Sequence, residues 1–162
     1  MYEESYYQLM AKYNRWMNRK LYAVCADIPD RTRREDRGAF FKSIHGTLNH
    51  LLFGDLVWMD RFTGAPRRNI TMGEELRDAR DSKDAEIIAW ANGLSDAWLR
   101  EPFTYTSGVD GKTRTLPAWV LVTHMFNHQT HHRGQLTTLI KQLGYEPGIT
   151  DLPWLPHLEL RG

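Results

Sequence analysis

The sequence predicts an all-α domain, a four-helix bundle with one short β-hairpin between its third and fourth helices. Three observations carry that reading. Four stretches repeat their apolar residues at intervals of three and four, as the buried face of an α-helix requires. Breaks containing Pro and Gly separate those stretches. After the third stretch the period drops to two around Asp110-Gly111, as in a tight hairpin. With 162 residues, 41% of them hydrophobic, the chain is the size of one domain spanning 1–162, and six Trp can anchor its core.

The first helix runs from Glu4 to Ala26, with Leu9, Tyr13, Met17, Leu21 and Cys25 on its apolar side and Pro29 beyond its end. The second runs from about Gly38 to Phe62, with Phe41, Ile44, Leu48, Leu52 and Trp58 on one side, and Gly64 and Pro66 stop it. A long connection over 64–81, with one irregular helical turn, leads to a third helix from Ser82, its cap, to about Leu99. The hairpin FTYTSGVDGKTRTL follows. The fourth helix begins near Pro117, which suits a first turn, and continues to Leu143 before Gly144. The tail, with Pro147, Pro153, Trp154, Leu155 and Pro156, carries too much apolar surface to stay free and reads as a strap on the bundle.

Composition excludes several function classes. Lys plus Arg is 21 and Asp plus Glu is 20, a net charge of +1, so no global field favours nucleic acid or an anionic membrane. A single cysteine, Cys25, rules out an intrachain disulfide and every multi-cysteine zinc motif, and on the apolar side of its helix it reads as a core residue. The opening MYEESYYQLM lacks a basic-then-apolar leader, and no apolar run approaches the roughly 18 residues of a membrane helix, so a cytoplasmic setting is expected. P-loop, G-x-G-x-x-G and G-x-S-x-G motifs are absent, as are the paired Glu-x-x-His motifs of di-iron bundles. Arg31, Arg33, Arg34, Arg67 and Arg68 read as solvated loop arginines that could attract an anionic thiol.

The histidines carry the chemistry. Random placement puts roughly 0.4 of them in any nine-residue window, yet 124–132 holds four: His124, His128, His131 and His132. At about 100° per residue all four share one broad face, with His128 and His132 on or beside the apolar stripe and His124 and His131 at its edge. Two imidazoles one turn apart on a core-facing stripe can reach a single cation, and neutral imidazole suits zinc, copper, iron and nickel. A third donor must come from elsewhere. His45, His50, His157 and Asp55 are the candidates. The helical wheel does not choose His50, which falls about 130° from the centre of its stripe, whereas Asp55 falls within that stripe and needs a partner or a cation there. Phe126 and Trp119 lie off the main stripe of the last helix and suit a dimer surface or the hairpin equally.

The segments NHQTHHRGQ, TLNHLLFGDLVW, YNRWMNRKL and GVDGKTRTLP together resemble the DinB family of damage-inducible bacterial proteins over essentially the whole chain. The resemblance implies a homodimeric four-helix bundle holding a divalent metal, zinc, nickel or iron, on three histidines. Carried onto this chain, these match His50, His128 and His132, leaving His124 and His131 as supporting or surface residues. It also implies a thiol-dependent transferase acting on a small molecule, with a low-molecular-weight thiol as a further cofactor, and the position that three protein ligands leave open on the metal would equally suit a hydrolase. Two other readings stand beside the enzyme: a non-catalytic metal-binding stress protein, and a metal-free helical interaction module.

Overall fold

The apolar stripes close into a helical bundle with two hydrophobic centres, seen in a computed structural model that describes residues 2–66 and 76–158. Four long helices form it: α1 (Tyr2–Ala26), α3 (Ile44–Thr63), α4 (Leu76–Asn92) and α6 (Ala118–Gln142). Two short helices, α2 (Asp30–Arg34) and α5 (Asp96–Arg100), punctuate the connections, and strands β1 (Pro102–Thr106) and β2 (Thr113–Pro117) form the hairpin. Both α1 and α3 pack against α4 and α6. Among the described residues there are therefore six α-helices rather than four, and the hairpin lies between α5 and α6. Arg67, Arg68 and the irregular turn expected within 64–81 fall largely outside the described residues; the part from Leu76 onward is already helix.

The differences have local causes. The expected second helix starts later, at Ile44, because Ser43 caps it, its Oγ accepting from the Gly46 amide at 3.0 Å. The preceding residues make a tight turn closed by an Ala39–Lys42 bridge, which holds Phe41 beside the helix. The expected third helix is cut in two. Asn92 ends α4, and Ser95 restarts the chain as α5 by accepting from the Trp98 amide at 3.2 Å. Ser82 is no cap but an exposed residue inside α4.

The hairpin keeps a strict period of two. Phe103 pairs with Leu116 and Tyr105 with Arg114, and Phe103, Tyr105 and Leu116 pack on the bundle. The threonines between them face solvent, Thr104 and Thr115 joined at 2.7 Å. Gly111 turns the chain with φ +68°, which L side chains rarely adopt. Phe126 lies at no surface: it is 1% exposed, stacks on Tyr7 of α1 at 6.2 Å and belongs to the hydrophobic centre on which the hairpin's Phe103, Tyr105 and Leu116 pack. The buried arc of α6 is wider than one stripe because α1 and α3 both cover it. The tail does strap the bundle. Tyr13 donates to the Thr150 carbonyl at 2.5 Å, Lys20 to that of Ile149, and Leu155 is buried.

Between the two hydrophobic centres all four long helices contribute buried polar side chains. Arg80 of α4 stands 2.7 Å from both Asp55 of α3 and Asp84 of its own helix. Asn14 and Asn18 of α1 donate to Asp84, and Arg133 of α6 donates to Asn14. Charges buried this deeply persist only when paired.

Candidate metal centre

One edge of that polar layer carries the histidines. His50 is on α3, and His128 and His132 stand one turn apart on α6. Each offers a ring nitrogen, and the three nitrogens lie within 4.8 Å of one another. The ring centroids form a near-equilateral triangle of 4.4, 4.5 and 4.8 Å. Nε2 of His50 and Nε2 of His128 face each other at 2.9 Å. Two nitrogens bound at about 2.1 Å to one tetrahedral cation stand roughly 3.4 Å apart, so a small ring rotation suffices to accept one. Donor set and spacing thus fit a divalent cation of the zinc, nickel or iron kind.

The surroundings hold these rings neutral and aimed. Burial, reinforced by the neighbouring His132, pulls His50 down to about 4. Burial and then the other imidazoles pull His128 down to about 3. His132 is lowered as well, again by burial first. Neutral imidazoles are the form that binds metal. The Gln135 amide oxygen, which can only accept, sits 2.8 Å from Nδ1 of His132, so Nδ1 carries the proton and Nε2 keeps its lone pair. Phe41 stacks on His50 at 3.7 Å between ring centroids and meets His132 edge-on at 5.2 Å.

Two features set the approach of α3 to α6. Gln129, next to His128 and 1% exposed, donates from Nε2 to the Leu51 carbonyl at 2.8 Å and to Asp55 at 2.5 Å. Leu51 follows His50, so this crosslink lies one residue from a histidine on each helix. Gly54, one turn after His50, leaves room for the ring opposite: a Cβ there would stand 2.8 Å from Cε1 of His128.

The remaining sequence candidates are elsewhere. Asp55, within the apolar stripe as read, is paired with Arg80 and Gln129 and takes no place in the cluster. His45 accepts from Arg34 at 3.2 Å, and burial lowers its pKa. His157 is exposed in the tail. His124 is exposed with its ring edge against Trp58 at 5.2 Å, and His131 is exposed beside His132 at 4.8 Å. Cys25 is a buried core residue, its thiol pushed up to about 12 by burial. The sequence reading passed over Gly54 and Gln135. A glycine four residues after a histidine inside a helix was the available sign of close approach on that face.

Comparison with known proteins gives two findings. The sequence model of the DinB family matches residues 1–161. Protein DinB of Bacillus subtilis (strain 168) is 26% identical over 151 residues, covering 86% of this chain and 87% of that protein.

Proposed function

This chain belongs to the DinB family, and from that premise we propose that it is a metal-dependent enzyme in which His50, His128 and His132 hold one divalent cation. Thiol-dependent transfer or hydrolysis of a small molecule is the reaction this reading favours, in a cytoplasmic homodimer of one-domain subunits. The observation that carries it is three convergent imidazole nitrogens on two helices, with His50 and His128 only half-buried. Structural sites are usually closed by four protein ligands, whereas three leave a position for a reactant. A cation held there would supply Lewis acidity, favouring the deprotonated form of a thiol or water brought to it. The chain's own part is to keep the rings uncharged by burial, to fix the His132 tautomer through Gln135, and to wall the site with Phe41.

Protein purified without an affinity tag should contain about one divalent metal per chain by elemental analysis, as one three-histidine centre requires. The metal should be lost in His128→Ala and in His132→Ala. Metal-loaded protein should accelerate reaction of a small thiol with 1-chloro-2,4-dinitrobenzene, or hydrolysis of 4-nitrophenyl acetate, and His128→Ala should abolish it. Full occupancy in both variants rejects the centre. Metal without turnover on either substrate rejects this chemistry and favours the non-catalytic reading.

A further inference from the structure

A second recess lies apart from the histidine cluster. A cavity of about 420 Å³ opens between α1, α2, α3 and the start of α4, within the size range of small-molecule sites. Its wall has two natures. Leu48, Leu76 and Cys25 are buried and apolar, while Arg33, Arg34 and Arg77 bring three guanidinium groups against a single carboxylate, Asp30.

That carboxylate does not exhaust the arginines. Asp30 is shared by Arg33 at 3.3 Å and Arg34 at 2.8 Å, and its side chain is 58% exposed at the rim. Arg33 also donates to the Cys25 carbonyl at 3.0 Å, which fixes its guanidinium against the wall. Arg34 donates to His45, so the imidazole in this wall serves as an acceptor and adds no charge. Two donors remain: Nε of Arg33 and the hydroxyl of Tyr22 are buried with no hydrogen-bond partner among the described residues. Buried donors in native proteins find acceptors. An excess of positive charge beside an apolar floor calls for one kind of molecule.

We propose that this cavity binds a small organic anion, its phosphate or carboxylate group held by Arg33, Arg34 and Arg77 and its apolar body against Leu48 and Leu76. Guanidinium forks match such oxyanions in geometry as well as charge. The site is separate from the histidine cluster and does not depend on the metal reading.

Titration calorimetry on the full chain with phenyl phosphate, benzoate, inorganic phosphate and phenol tests it. Phenyl phosphate or benzoate should bind saturably at one site per chain, whichever is tighter revealing the preferred head group. Inorganic phosphate should bind more weakly, and phenol not at all. Arg34→Gln and Arg77→Gln, at accessible positions, should each weaken binding about tenfold, the loss of one charge-assisted contact. Their melting temperatures show that the fold is kept. His128→Ala should leave binding unchanged while removing any metal. Absence of saturable binding by either anion, equal binding of phenol, indifference to both arginine substitutions, or loss in His128→Ala would each overturn the proposal.

Discussion

The three clustered histidines are bases held below their ordinary range. In an unfolded chain each takes a proton near pH 6.5, whereas folding moves His50 to about 4 and His128 to about 3, mainly by burial. Above pH 6.5 both states are neutral and these shifts contribute nothing to stability. As pH falls from there towards 3, the unfolded state binds protons that the folded state refuses, so stability falls through that window. Metal-free protein should therefore melt at steadily lower temperature from pH 6.5 downward. The replacement His128→Gln should flatten that slope; an unchanged slope would remove His128 as its source. The pair His128/His132 was legible in the sequence because one helical turn relates the two residues. His50 was legible only through the family resemblance and not from periodicity, because its position depends on another helix and on the turn carrying Phe41, which no wheel of α3 contains.

At the scale of helices, Gly54 governs how closely α3 approaches α6. Gly→Ala inside a helix ordinarily stabilises by about 1 kcal/mol. Here the added methyl would stand 2.8 Å from Cε1 of His128 and must displace that ring, whose clashing atom is at the far end of its side chain rather than in the backbone. Gly54→Ala should thus keep or raise the melting temperature of the metal-free protein while lowering cation affinity at least about tenfold. Competition with a chromogenic chelator measures that affinity, and unchanged binding would show that the clearance is irrelevant. The same dependence on context explains the helix boundaries. Long apolar periods announced all four long helices. Ends decided by a single serine, Ser43 or Ser95, shifted because a cap hydrogen bond outweighs a continuing stripe.

For the molecule as a whole, the buried polar layer is the demanding element. Arg80 is 2% exposed between two carboxylates, and replacing it with Met would leave both buried without the cation that pairs them. Arg80→Met should lower unfolding free energy by about 3–5 kcal/mol, read from urea titration. A loss below 1 kcal/mol would mean that the layer relaxes or admits water. Composition had suggested a chain without an electrostatic handle, and that balance conceals a few charges, Asp55, Arg80 and Asp84 among them, that are paired inside the protein. The layer also bears on how the protein is made. Gln129 and Arg133, the partners of Asp55 and Asn14, lie on α6, the last long helix to emerge during synthesis. Two of the three clustered histidines emerge with them. A nascent chain therefore cannot close its interior early and acquire its histidine cluster later: both are completed when the same helix docks.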